Sequence, residues 1–480
     1  MHRGISNFML NNGIILRFFA FGALIIALRL FFADLSDEYS FLPILPFFCF
    51  FLYLFCDRFI GNKKIDVATL MILCLTFVRY CFLSLILFYG NFFAETSWSF
   101  TQDYFNDAVL LMIYESFVIF IALILANEIC LDKSKHYVVV ERKKITNTII
   151  VSLLLFIILI IIIYPDTLNL FNSIFQLNQL DFTQGTRINK ADVGAIKRVL
   201  QTLFSVFFLV VRVFFPAYVL KWYSQRHNSS LVFVFLTLFF VAIQFFFITS
   251  TFAESIVCSL AILLCANRNN PNAGGKLVRI SPVFVASVVF VYFYVRYLVS
   301  TSSPYKSMYA GSNIFEHVCA LFNAYFTGPF NVAGSFMPVD ENYWSIVYST
   351  FVGTIPFNST LFGARGSSLQ PVYNMFNHSY GQIPSTIGDG LYFFNPIFSP
   401  VFSFALTFFA ILLCRKAEST KSYGMYLAYT FASIVFALGI AMYNEHISLY
   451  WFNQCVVPLF LLAFVCEKRI YIKDAYEIKN

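Results

Sequence analysis

The chain has 480 residues, 59% of them hydrophobic, 20% aromatic and only 12% charged, with Phe alone at 63 positions. Soluble domains carry roughly 25% charged residues, so this composition excludes a soluble globular protein. The net charge of +7 is what basic connectors between membrane spans produce, and nothing in it points to nucleic acid.

Runs of about 20 apolar residues recur from one end to the other, the pattern of a polytopic α-helical membrane protein. In chain order the expected spans lie near 13–33, 41–57, 67–90, 108–131, 145–164, 199–220, 230–250, 252–267, 281–300, 396–414, 423–443 and 447–466. The first run, Gly13 to Ala33, is too long for the apolar core of a cleavable leader and lacks a small-residue cleavage site. The pair around "ITSTFAES" also reads as one broken helix.

Basic connectors follow alternate spans: "DRFIGNKKID", "DKSKHYVVVERKK", "KWYSQRHNSS", "NRNNPNAGGKLVR", "RKAESTKSY" and the tail "EKRIYIKDAYEIKN". Placing these and both termini on the cytoplasmic side puts 21 of the 32 Lys and Arg there, against six outside and five within spans. That asymmetry fixes the expected orientation. Ten of the eleven cysteines fall in or beside apolar runs and Cys319 alone sits in an outer segment. A disulfide framework is therefore not expected, and no Cys/His spacing resembles a zinc site.

Two outer segments are long, 164–198 and 301–395. Connections beyond about 15 residues are usually functional or disordered. The second holds Trp344, many Tyr and Phe, and the apolar run "NIFEHVCALFNAYF", which predicts short or re-entrant helices. The chain reads as a single transmembrane domain, 1–480, whose outer site is formed by these two segments. It has no internal repeat, so an inverted-repeat transporter gains no support.

Arg79, Glu115, Arg212 and Arg296 fall deep in the expected spans, and Arg29 and Glu254 nearer span ends. A charge at the bilayer centre costs roughly 2.5–3.5 kcal/mol on insertion scales. Such residues either pair between helices or line a polar cavity, here one with Arg212 and Arg296 facing an anionic ligand. Outside, Arg187 is followed by Lys190, Lys197 and Arg198, against the positive-inside trend. Guanidinium forks suit phosphate oxygens, although a helix start resting on lipid headgroups fits the same residues. Arg365 in "LFGARGSSLQPVYNMF" is a second outward arginine, with glycines that permit close approach.

His317, His378 and His446 are the outer histidines; Asp389 lies eleven residues after His378, and Glu445 adjoins His446. His378, Asp389, Glu445 and Glu254 are the candidates for a general base acting on a sugar hydroxyl. Trp344 and Tyr373 offer aromatic faces to sugar rings. The glycine-rich stretch "NHSYGQIPSTIGDGLYFF" predicts close-packed, non-helical backbone, tolerated at membrane depth only inside protein or along a wet cavity.

The pattern "RGSSL", followed about 20 residues later by "PSTIGDGLYFF", resembles the bacterial O-antigen or oligosaccharide repeat-unit polymerases of the Wzy type. The family often has Glu where Asp389 stands and "YFG" where this chain reads "YFFNP". The resemblance implies an all-α, glycosyltransferase-C-like membrane fold of about twelve spans, cytoplasmic termini and two large periplasmic segments, in the inner membrane. It also implies a metal-independent inverting glycosyltransferase with no cofactor, whose partners are undecaprenyl-diphosphate-linked donor and acceptor oligosaccharides and a chain-length regulator. Arg187, Arg212, Arg296 and Arg365 would contact diphosphate and glycan.

Two alternatives stand beside it. A metal-dependent lipid-linked glycosyltransferase would use Asp37 and Glu38, although the second span begins about three residues later. A flippase or transporter of the same lipid-linked oligosaccharide would also use a basic cavity, but the long segment 301–395 argues for a site fixed on one face.

Overall fold

The computed structural model describes residues 12–63, 65–92, 102–129, 137–165, 195–227, 229–246, 252–302, 314–336, 342–358, 384–442 and 444–471. The helices are α1 (Asn12–Phe31), α2 (Ile44–Ile60), α3 (Val67–Tyr89), α4 (Phe105–Glu128), α5 (Lys143–Ile163), α6 (Ala195–Arg226), α7 (Ser230–Phe246) and α8 (Phe252–Asn269). They continue as α9 (Pro271–Ser302), α10 (Ile314–Tyr325), α11 (Pro329–Ala333), α12 (Tyr343–Val352), α13 (Thr386–Phe398), α14 (Val401–Ser419), α15 (Tyr423–Gly439) and α16 (Glu445–Cys466). One small sheet joins β1 (Tyr137–Glu141) to β2 (Glu467–Tyr471).

A helix covers each of the twelve expected spans. Among the described residues seven helices are long and apolar enough to cross a membrane, or eight if the bent pair α13–α14 is one span. The chain is thus an all-α, membrane-embedded protein. Part of the shortfall from twelve lies in α7 and α15, which are apolar but only 17 residues each; α8 and α9, 18 and 32 residues long, are the other two helices outside that count. At about 1.5 Å per residue α7 and α15 span about 26 Å, less than the roughly 30 Å of a bilayer core. α7 and α8 lie side by side in one apolar cluster, Phe233 and Phe245 with Ile262 and Ala266, and Ser255 Oγ donates to Gln244 O across them at 2.7 Å. They are two helices rather than one broken one.

The described parts of the six basic connectors gather at one end of the bundle. Lys63 pairs with Glu128 at 2.5 Å, Arg415 with Asp66 at 3.5 Å and Lys221 with Glu141 at 2.5 Å. Lys276 donates to Ser230 Oγ at 3.1 Å and Arg268 to Thr420 O at 2.8 Å. β1 and β2 run antiparallel with Val139 opposite Arg469, which ties the tail to the connector after α4. Arg415 also donates to the carbonyls of Ala126, Asn127 and Ile129, a cation placed where a helix C-terminus attracts one.

The opposite end is closed by aromatic and amide contacts. Tyr39 stacks on Phe92 with ring centroids 3.8 Å apart, Tyr104 stacks on Phe336, and Asn106 Nδ2 donates to Asp37 O at 3.0 Å. The described parts of 301–395 lie here as short helices. α13 crosses this end and meets α14 at 107°. The break falls at Ser399–Pro400; α13 is itself kinked where Asn395 adopts φ 60° just before Pro396, which has no N–H to continue the helix and restricts the residue ahead of it.

Candidate functional site

The glycine-rich stretch is helical from Thr386 onward, a correction of the non-helical backbone expected from its composition. Ser385 is the reason: it follows Pro384 in extended backbone, and its Oγ accepts the Gly388 N–H at 3.0 Å, capping α13. The glycines serve proximity instead of a turn. A Cβ on Gly388 would run into Ser335 Oγ, and one on Gly390 into the carbonyl oxygen of Ser399. α13 therefore lies tight against its neighbours, with Asp389 between the two glycines.

Asp389 faces the start of α16. Asn444 caps that helix, its Oδ1 accepting the Ile447 N–H at 3.1 Å, while its Nδ2 donates to Asp389 Oδ2 at 2.8 Å. Glu445 follows Asn444 directly, so its carboxyl and that of Asp389 are buried as neighbours at the start of α16. All three side chains are buried, at 1–2% exposure. Among the described residues no other side chain donates to Asp389 Oδ1 or to either oxygen of Glu445. Two buried neighbouring carboxyl groups repel when both are ionised, so a single proton held between them is the less costly arrangement, an acid beside a base. His446 turns away from the pair, its Nδ1 bonded to Thr350 O at 2.7 Å.

The turn that delivers Asn444 and Glu445 is clamped from three directions. The carbonyls of Gly439, Ile440 and Ala441 accept in succession from Thr386 Oγ1 (2.8 Å), Arg79 Nη1 (2.5 Å) and Thr327 Oγ1 (3.1 Å). Those donors come from α13, from a π-helical turn at Phe77–Phe82 within α3, and from the link between α10 and α11. Thr327 holds φ 42°, a conformation that strains a β-branched residue and persists only where its surroundings impose it. Arg79 is itself held by Glu115 at 2.9 Å. Glu115 also accepts from Tyr80 Oη (2.9 Å) and Ser403 Oγ (2.6 Å). Of the two readings of the deep charges, Arg79 and Glu115 follow the first: they pair between helices.

Arg212 and Glu254 come together as well. Arg212 Nη1 meets Glu254 Oε1 at 2.9 Å, and Nε donates to Gln244 Oε1 at 3.0 Å. Arg212 and Gln244 each lie fourteen residues from the basic end of their helix, whereas Glu445 lies twenty-one residues from Cys466. At 1.5 Å per residue the arginine pair sits about 10 Å nearer the basic end than the two carboxyls. The four acid–base candidates therefore do not form one cluster: Asp389 and Glu445 meet, and Glu254 stands with Arg212.

Trp344 opens α12, 74% exposed, where Asn342 caps the helix and Tyr343 Oη ties it to Phe393 O of α13 at 3.2 Å. Arg296 lies on α9, its side chain outside the described residues. Arg187, Arg365, Tyr373 and His378 lie outside them too. Among the described residues no three His, Cys, Asp or Glu are grouped as a metal ion would need. Sequence reasoning missed Asn444, Thr386 and Thr327. Asn444 alone left a signal, an asparagine directly before an apolar helical run.

No protein-family model, curated protein or solved structure matches this chain.

Proposed function

We propose that this protein is a metal-independent, inverting glycosyltransferase that polymerises undecaprenyl-diphosphate-linked oligosaccharide repeat units of a bacterial surface polysaccharide. The observation that carries the reading is the buried Asp389–Glu445 carboxyl pair at the end of the bundle opposite the basic connectors. With those connectors cytoplasmic by the positive-inside rule, the pair faces the periplasm in a twelve-span inner-membrane protein with both termini inside. The resemblance of "RGSSL" and "PSTIGDGLYFF" to the Wzy-type polymerases supplies the substrate class.

In this reading the ionised carboxyl takes the proton of an acceptor hydroxyl. The acceptor oxygen bonds to the anomeric carbon of the growing glycan as the bond from that carbon to the lipid diphosphate breaks. Arg187, Arg296 and Arg365 meet the departing diphosphate with fixed positive charge; Arg212 lies deeper, its charge balanced by Glu254. A chain-length regulator is the protein partner this activity calls for.

The test is polymerisation by the purified protein from synthetic lipid-diphosphate-linked repeat units, with and without EDTA, the products resolved by size. A glycan ladder that survives EDTA is expected. Asp389→Asn and Glu445→Gln, each near-isosteric, should lower turnover by about 10²–10⁴-fold, the usual contribution of a general base. A full ladder from the double variant would remove the acid–base assignment. A buried carboxyl pair in a membrane also suits a proton relay, so translocation of the same lipid in vesicles without a ladder would favour a transporter.

A further inference from the structure

We infer that Asn444 is the positioning residue that sets the roles of the two carboxyls, making Asp389 the base and Glu445 the carrier of the proton. The inference rests on the acid–base reading above and adds the order of the pair.

The amide of Asn444 cannot be turned around. Its oxygen accepts the Ile447 N–H and its nitrogen donates to Asp389 Oδ2. The flipped amide would set NH₂ against an N–H and oxygen against a carboxylate oxygen, losing both bonds. The helix cap thus dictates that the other end of the side chain is a donor aimed at Asp389. The Asn444 carbonyl is fixed as well, accepting from Ser448 N and Ser448 Oγ at 3.1 and 2.9 Å.

A donated hydrogen bond favours the charged form of the carboxyl that receives it. Asp389 receives one; among the described residues no side chain gives one to Glu445. With one proton shared between the two groups, negative charge settles on Asp389 and the proton on Glu445. Oδ2 of Asp389 is engaged by Asn444, which leaves Oδ1 without a donor among the described residues. The titratable residue next along α16, His446, has its Nδ1 bonded to Thr350 O.

Asn444 has two jobs that substitution can separate. Ser and Asp cap a helix about as well as Asn. Asp has no proton to donate when ionised, and the Ser hydroxyl stops one bond short of the position Nδ2 occupies. Asn444→Ser and Asn444→Asp therefore keep the cap and lose the donor, whereas Asn444→Ala loses both.

The experiment combines infrared difference spectroscopy on the purified full chain with turnover. The carbonyl stretch of a protonated carboxyl group should be present in the wild type, vanish in Glu445→Gln, survive in Asp389→Asn, and shift in Asn444→Ser. Loss of the band in Asp389→Asn with retention in Glu445→Gln, or no such band in the wild type, overturns the assignment. Turnover of Asn444→Ser should fall roughly 10²-fold, the scale of a small misplacement of a reacting group, with KM unchanged and the thermal midpoint at the wild-type value. A purely structural Asn444 would instead leave kcat and the band untouched in the Ser variant and lower the midpoint only in the Ala variant. If the wild type forms no glycan ladder while the infrared pattern holds, the polymerase reading fails and the order of the pair stands.

Discussion

Replacing Arg79 by Met tests what holds the site up. Arg79 and Glu115 are 1% and 0% exposed as side chains and meet at 2.9 Å. Arg79→Met leaves Glu115 with two hydroxyl donors, Tyr80 and Ser403, and no cation. Stranding one member of a buried ion pair costs about 3–5 kcal/mol. The Ile440 carbonyl loses its donor as well, worth about 1–3 kcal/mol more for a buried group left unsatisfied. Glu115→Gln strands the arginine instead but keeps its bond to Ile440, so its cost should be about 3–5 kcal/mol alone. The double variant removes both charges, and the Gln amide can accept from one of the two hydroxyls, Tyr80 or Ser403, while its NH₂ donates to the other. Its remaining cost should be mainly the Ile440 term.

Thermal or denaturant unfolding in detergent should therefore order the proteins as wild type, double variant, Glu115→Gln and Arg79→Met, from most to least stable. The coupling between the two positions should be several kcal/mol and favourable, beyond the error of additivity for distant sites. A double variant whose loss equals the sum of the singles would refute the idea that the two charges compensate each other. Turnover separates a second role. If the Arg79–Ile440 bond places the turn carrying Asn444 and Glu445, the double variant regains stability without regaining turnover. Full recovery of both would strip Arg79 of that role.

Gly390→Ala should destabilise by about 1–3 kcal/mol or prevent folding, because the new methyl meets a backbone oxygen of Ser399 that cannot rotate away. Gly275→Ala, inside α9 with nothing within 4 Å of the new Cβ, should gain about 0.5–1 kcal/mol; equal midpoints for the two would contradict the packing of α13. Cysteines at Val139 and Arg469, directly opposed across the β1–β2 ribbon, should cross-link on mild oxidation, since Cα atoms about 4.5–5.5 Å apart suit a disulfide. A reduced pair, scored by peptide mass mapping, would break the link that sets both connectors at one end.

The helices and their gathering by end were legible because hydrophobic length and basic connectors are local signals, and each of the twelve apolar runs became helix. Where the chain bends was less legible. Asn395–Pro396 is the expected border between the outer segment 301–395 and the span 396–414, yet α13 runs through it with a kink and the chain turns into α14 only at Ser399–Pro400. The glycines of "STIGDGL" misled for a related reason: glycine marks both turns and close contacts, and only the three-dimensional neighbours Ser335 and Ser399 decide between them. Pairing was least legible of all. Arg79 with Glu115 spans 36 residues, Arg212 with Glu254 42, and Asn444 with Asp389 55. Nothing local fixes such partners; they follow from which helices pack together.

The sign of each buried pair separates scaffold from site. Arg79–Glu115 and Arg212–Glu254 are each neutral as a unit, so burial costs them only desolvation, which short bonds and extra hydroxyl or amide partners offset. Neutral pairs of this kind need no function to explain them. Asp389 and Glu445 are two acids with no cation between them, are equally buried, and share one side-chain amide donor. Folding gains nothing from holding two acids together: a Leu or Ser at either position would fill the space without the penalty of a polar group short of partners. Yet the surroundings go to some length to keep them there, with two glycines whose positions admit no side chain, a capping serine, and three donors on consecutive carbonyls of the adjoining turn. Strain maintained against an easier alternative is the mark of a working site. That reasoning ranks Asp389 and Glu445 above the other charged candidates, and it makes their isosteric replacement informative in two directions: Asp389→Asn should cost activity while leaving stability unchanged or raising it.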